Sequence, residues 1–361
     1  KYINNIKPYK VVSHKAWEFG KSDDVLKLDW NEATIPPSPK VLQGLKDFFS
    51  NGNMNWYPNV DNKEFRAQLA KYSSVPVEQV EYFASSDALH EYIIRAFINP
   101  GDRITMVAPT YDNFRAAAES IGAVIDFFYL DELNGFNFDI LNFEKHVEEE
   151  QPKIVYLCNP NNPTGTVYSV ELIENLVKRF NDVLFIIDEA YYEFSGVTAA
   201  SLGSLYENII VCRTFSKAFA LASFRVGYAI TSEHNMAGLR KIRNPKNITS
   251  YSQVAALAAL NDIEYTRRYV NEVKQAKKKF VNALDELGVD VIGSESGNFV
   301  LVGFGACQLE LTEYLEFNNI FVRNYGHVAK MGRYTRITIG TLEQMDVVFS
   351  TIKEFHIKNV I

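Results

Sequence analysis

The sequence predicts an α/β fold. A large unit carries a mostly parallel sheet sandwiched by helices, and the two ends of the chain form a smaller α+β unit. Three observations carry this. Three nearly continuous runs of β-branched and aromatic residues read as strands buried on both faces of a mostly parallel sheet, and two further short apolar runs read as strands beside them. Amphipathic helical patterns lie between them, so the connections are βαβ units. The length of 361 residues exceeds one ordinary core.

Taken in order, Leu26-Lys27-Leu28-Asp29-Trp30 alternates like a strand, and residues 1–30 are expected to form an arm that joins the small unit. The large unit is expected over 31–245. Its strands are Arg103 to Ala108, Ala123 to Phe128, Ile154 to Cys158, Val183 to Ile187 and Ile209 to Cys212. Leu172, Ile173, Leu176, Val177 and Phe180 recur at helical spacing, with Glu171, Glu174, Lys178 and Arg179 facing away. Residues 246–287 read as long connecting helices, starting near Ser252, broken near Asn261-Asp262 and ended by Gly288. Residues 288–361 return to alternating strands and helices as the rest of the small unit.

Composition narrows the function. The net charge is -7, which argues against a nucleic-acid surface. Lys277-Lys278-Lys279 reads as a solvated helix face. Three cysteines without close spacing form neither a disulfide framework nor a zinc site, and no metal is expected. No apolar run reaches a membrane span, and the amino-terminal stretch lacks a signal-peptide core. A soluble protein of the reducing cytoplasm is expected.

Five side chains at strand-to-loop junctions suggest a chemistry. Asn162 lies in Asn-Pro-Thr-Gly, Asp188 and Tyr191 in Asp-Glu-Ala-Tyr, Lys217 in Ser-Lys-Ala-Phe, and Arg225 follows. Together they are the groups needed to hold and tune pyridoxal phosphate. A lysine can bind the aldehyde as a Schiff base. An aspartate can keep the pyridine nitrogen protonated. An asparagine and a tyrosine can reach the ring hydroxyl oxygen, and an arginine and a serine can face the phosphate. Each has an ordinary alternative: Asp188 could cap the next helix, Asn162 could be a turn residue, and Tyr191 could be a core tyrosine.

The chain resembles the aspartate-aminotransferase-type (fold type I) pyridoxal-phosphate enzymes, and among them it is most similar to the histidinol-phosphate aminotransferases. The resemblance rests on Asn31-Glu32, Tyr57-Pro58-Asn59, Ala108-Pro109-Thr110-Tyr111, Asn162-Pro163-Thr164-Gly165, Asp188-Glu189-Ala190-Tyr191, Ser216-Lys217-Ala218-Phe219, Phe224-Arg225-Val226-Gly227, Val322-Arg323-Asn324 and Arg336-Ile337-Thr338. These run in order along nearly the whole chain.

The resemblance implies Lys217, Asp188 and Tyr191 as catalytic residues. It implies a phosphate cup from Ser85, Ser86, Asp87, Ser216 and Arg225, seated on a helix N-terminus. Tyr111 would stack on the ring, and Tyr57 would reach the cofactor phosphate of a neighbouring subunit, which implies a homodimer with shared sites. Asn31, Arg323 and Arg336 would bind substrate, with Arg336 gripping a carboxylate and Arg323 a phosphate. The family usually has glycine where Ser85 stands and an acid-glycine pair at Ala88-Leu89, so the cup departs from its pattern. The activity implied is transfer of an amino group between glutamate/2-oxoglutarate and a small phosphorylated ketone. That ketone would be histidinol-phosphate-like or shorter, such as dihydroxyacetone phosphate. Two alternatives stay open: decarboxylation of a phosphorylated amino acid, and a non-catalytic regulator.

Overall fold

The computed structural model describes residues 15–19, 25–293, 296–328 and 330–359. Residues 1–14 and 20–24 of the expected amino-terminal arm lie outside them.

Among the described residues, twelve strands form two sheets. In chain order they are β1 (Leu26–Leu28), β2 (Val80–Phe83), β3 (Arg103–Ala108), β4 (Val124–Tyr129), β5 (Ile154–Cys158), β6 (Leu184–Asp188), β7 (Ile209–Thr214), β8 (Gly227–Thr231), β9 (Asp290–Ile292), β10 (Phe299–Gly303), β11 (Ile320–Asn324) and β12 (Tyr334–Thr338). The large sheet has the order β2-β8-β7-β6-β5-β3-β4. Only β8 runs against its neighbours. Every residue of β5, β6 and β7 is buried, as expected for strands covered on both faces.

The helices follow local rules. Ser169 caps the helix Val170–Arg179, its side chain accepting from the Leu172 N–H, and Ile173, Leu176 and Val177 enter the core. Two helices, Ser250–Leu260 and Ile263–Glu286, carry the chain from the large sheet to the second one. Gly288, at φ 71°, ends the longer of them. Its N–H reaches the Asp285 carbonyl while Val289 reaches Leu284, a closure that suits a residue without Cβ.

The second sheet has the order β1-β11-β12-β10-β9. Here β1, from the amino-terminal end, pairs in parallel with β11.

One expectation fails. Lys277 is buried, not solvated, and its ammonium donates to the backbone carbonyls of Ser296 and Gly297. The carbonyls of a neighbouring loop replace water at that point of the helix face.

Candidate active site

The sheet topology collects the predicted residues at one edge. Strands β2, β3, β5, β6 and β7 run the same way, and their carboxyl ends lead to Ser85, Tyr111, Asn162, Asp188 and Lys217 respectively. β8 runs oppositely, so its amino end brings Arg225 to the same edge. Ligands of open α/β sheets bind at carboxyl strand ends.

The buried half of the site centres on the Tyr191 hydroxyl. It accepts from Asn162 Nδ2 at 3.2 Å and from Asn31 Nδ2 at 3.1 Å. With both lone pairs engaged, the phenol proton is left to donate outward. Burial pushes the Tyr191 pKa above its usual value, so the proton stays on at neutral pH. Asn31 is fixed in turn by the Thr338 hydroxyl, which donates to its Oδ1 at 3.1 Å. Arg336 donates to Asn162 Oδ1 at 2.6 Å, to Tyr325 Oη at 3.2 Å and to the Asp29 carbonyl at 2.5 Å, while its buried Nε has no hydrogen-bond acceptor among the described residues. That nitrogen is a free donor beside a network already satisfied elsewhere.

Lys217 is half-buried, donates to the Trp30 carbonyl at 2.8 Å and lies 5.7 Å from the Tyr191 ring centroid. Its pKa is pulled from the usual lysine range down to about 8. Burial contributes most and the Arg336 charge next, while Glu32 opposes them. A neutral amine, the nucleophilic form, is thereby accessible near neutrality.

Asp188 ends β6 and is buried. Its Oδ2 accepts from the Tyr156 hydroxyl at 2.7 Å and its Oδ1 from the Ala190 N–H at 3.1 Å. Burial raises its pKa, opposed by His90 and the Tyr156 hydrogen bond. The local turn to Ala190 is the capping role open to a strand-end aspartate, and one carboxylate oxygen is enough for it.

The second half is polar and more open. Ser85 stands at φ 94° and caps the helix Ser86–Phe97 by accepting from the Ala88 N–H. In that geometry the Ser86 and Asp87 amides have no intrahelical acceptor. Gly227 allows this turn to pack, since a Cβ there would stand 2.4 Å from the Ser86 nitrogen. Arg225 donates to Asp87 Oδ2 at 2.7 Å, and Tyr111 and Asn113 donate to Asp87 Oδ1 at 3.0 and 3.1 Å. The Ser216 hydroxyl accepts from Thr214 at 2.9 Å, leaving its own proton free to donate.

Two predicted residues stand apart. Arg323 is half-buried on β11, directly opposite Arg336 on β12, so the two side chains share a sheet face. Tyr57 is 80% exposed, with the Lys246 ammonium 5.1 Å from its ring centroid, and makes no hydrogen bond to the cluster among the described residues. Sequence reasoning missed Tyr156, Tyr325 and His90. Tyr156 reads as one more strand aromatic, and its only signal is that Cys158, two residues on, pairs with Asp188 across β5 and β6.

Comparisons with known proteins point to one family. The family model for aminotransferase class I and II matches residues 23–352. A dihydroxyacetone phosphate transaminase of Campylobacter jejuni is 45% identical over 98% of this chain and 96% of its own length. A histidinol-phosphate aminotransferase of a Thermoanaerobacter species is 32% identical over 98% of this chain and 99% of its own. Among solved structures, a histidinol-phosphate aminotransferase of Sinorhizobium meliloti in complex with pyridoxal-5'-phosphate superposes with a TM-score of 0.87. It is 22% identical, covering 99% of this chain and 97% of that one, and so speaks to the fold. The chain is a member of the class I and II aminotransferase family.

Proposed function

We propose that this aminotransferase uses pyridoxal phosphate held at Lys217 and moves an amino group between glutamate/2-oxoglutarate and a small phosphorylated ketone. The observation that carries the substrate reading is the facing pair Arg323 and Arg336. Two guanidinium groups directly opposite on one sheet face repel each other unless anions separate them. One carboxylate and one phosphate would satisfy both. The 45% identity to a dihydroxyacetone phosphate transaminase favours a short ketone over histidinol phosphate.

The residues fit the cofactor. Pyridoxal phosphate, when bound, supplies an aldehyde that takes up the amino group and a ring that accepts electrons. Asp188 would hold the pyridine nitrogen protonated, and the Tyr191 proton and Asn162 would meet the ring oxygen. Ser85, Ser86, Asp87, Ser216 and Arg225 would form the phosphate cup, with Tyr111 against the ring face. Lys217, freed as a neutral amine, would carry the proton at the substrate α-carbon. Asn31 and Arg336 would hold the substrate carboxylate, and Arg323 the phosphate.

We read the working unit as a homodimer with shared sites, built of the expected arm, large unit, connecting helices and small unit. The helix Pro39–Asn51 buries only Val41 among its residues. Leu42, Phe49, Met54, Trp56 and Tyr57 lie exposed along it and the loop beyond, an apolar surface that a second copy would cover. Within the described residues no helix is long and apolar enough to cross a membrane. Three free cysteines suit the reducing cytoplasm.

A half-reaction screen tests the function. Glutamate added to the loaded enzyme should convert the cofactor to pyridoxamine phosphate, and a short phosphorylated ketone should convert it back. Release of carbon dioxide from a phosphorylated amino acid, without either half-reaction, would favour the decarboxylase instead. Borohydride reduction and peptide mapping should place the label on Lys217; label on another lysine removes that assignment.

A further inference from the structure

His90 lies in the second turn of the helix Ser86–Phe97 and is 1% exposed. Neither ring nitrogen has a hydrogen-bond partner among the described residues. The Phe114 and Tyr156 rings meet it edge-on, with centroids 5.3 and 5.7 Å away. A leucine or phenylalanine would fill such a pocket without stranding two nitrogens, and an unpartnered buried polar group is destabilising. Asp188 Oδ2 stands 3.5 Å from His90 Nε2. Catalytic hydrogen bonds are often long before the ligand is seated and tighten afterwards.

The Asp188 carboxylate needs such a donor. It must stay ionised to keep a pyridine nitrogen protonated, yet its surroundings are dry. Its other donors are one phenol and one backbone amide. Neither carries positive charge. Besides Tyr156, the titratable groups that act on it include Cys158 on β5, Cys212 on β7, Tyr191 beyond β6, and Asp87 on the helix of His90. Burial keeps the phenols and thiols neutral, and Asp87 works against ionisation of Asp188. The imidazole is left as the group able to favour the anion from behind.

We propose that His90 is a positioning residue that donates its Nε2 proton to Asp188 Oδ2, keeping the carboxylate ionised and aimed at the cofactor ring nitrogen. This rests on the pyridoxal-phosphate reading above. Among the influences on Asp188, His90 is the largest that opposes the effect of burial. The second oxygen remains turned by Ala190, so the two together fix the plane of the carboxylate.

The test compares wild type, His90→Leu and His90→Gln as holoenzymes, with the cofactor-free proteins as folding controls. His90→Leu should melt no lower than wild type without cofactor, because an apolar group suits the pocket. Its cofactor dissociation constant should rise, and kcat should fall, by about tenfold or more, the fold-change that a hydrogen bond to a charged group carries. KM for the amino donor should stay within about twofold, since Arg336 is untouched. His90→Gln, whose amide can donate, should recover most of both losses. In enzyme loaded with 15N-labelled pyridoxal phosphate, the ring-nitrogen resonance of His90→Leu should move towards the unprotonated position at neutral pH.

A purely structural histidine would lower the melting temperature and leave the 15N resonance in place. That result overturns the proposal, as does a His90→Leu enzyme with wild-type cofactor affinity and turnover. If leucine prevents folding, the comparison of His90→Gln with His90→Phe decides on the same resonance. Wild-type protein that binds no pyridoxal phosphate at Lys217 would instead overturn the parent reading.

Discussion

Arg323 and Arg336 stand directly opposite one another in the antiparallel pairing of β11 and β12, two cations on one sheet face. Arg336 is locked by Asn162, Tyr325 and the Asp29 carbonyl. Arg323 has no such clamp in the described hydrogen bonds.

The division of labour between them can be measured. Arg323→Ala should raise KM for the phosphorylated ketone by about one to two decades, the equivalent of a charge-assisted pair worth about 1.5–3 kcal/mol. The glutamate half-reaction, followed in single turnover, should be spared. Arg336→Ala should impair the glutamate half more severely. Equal loss of both halves in the two variants contradicts the division.

Lys217 should leave a pH signature on the cofactor-free protein. Folded, it releases its proton near 8; unfolded, it keeps the proton into the usual lysine range. Between those values the unfolded chain binds more protons, so stability rises with pH across the window. Below it the buried charge is a full penalty, on the order of 2 kcal/mol once solvent screening of the half-buried side chain is allowed for. Lys217→Met should therefore stabilise the cofactor-free protein at pH 7, with a gain that shrinks as pH climbs past 8. Urea unfolding at pH 7 and pH 9.5 checks this; a pH-independent gain contradicts it.

Asp188 makes the complementary case. Its folded pKa is raised by burial, so the folded state binds more protons, and this group's contribution to stability falls as pH rises above the usual carboxylate range. Asp188→Asn removes a buried charge at little change of shape. The cofactor-free variant should unfold at equal or higher urea concentration than wild type at pH 7. Turnover of the loaded variant should drop by about two decades or more, because a neutral amide cannot hold the ring nitrogen protonated. Near-wild-type turnover would remove Asp188 from the mechanism.

How much of this was legible in the sequence follows from what each residue needs in order to be recognised. Strands β3, β5, β6 and β7 are apolar on both faces, so composition alone marks them, within a residue or two at the ends. β2 and β8 escaped because Glu81, Tyr82 and Gly227 break the apolar run, and their pairing depends on partners far along the chain. Lys217, Asp188, Asn162 and Arg225 stand out because each is a polar residue at the end of a buried strand or within a few residues of one. Tyr156 and His90 do not, since each reads as a core ring or a helix-face histidine until the fold brings it to Asp188. Lys277 was misread for the same reason in reverse: nothing local announces the loop carbonyls that receive it.

Tyr57 carries the last prediction. It is 80% exposed and does not join the site of its own chain, yet it lies in an apolar surface that includes Met54 and Trp56. In the proposed homodimer this surface would carry the tyrosine to the neighbouring subunit's site. In a mixed dimer of Tyr57→Ala and Lys217→Ala chains, one of the two sites would take Tyr57 and Lys217 both from intact chains. The other would carry both lesions. Mixing two inactive homodimers should therefore restore activity, up to about half of wild type per hybrid dimer if the intact site works independently. The measurement needs hybrids isolated by two affinity tags after subunit exchange, and an assay of each parent alone. Hybrids that form and stay inactive would mean that Tyr57 acts, if at all, within its own surface and not in the neighbour's site.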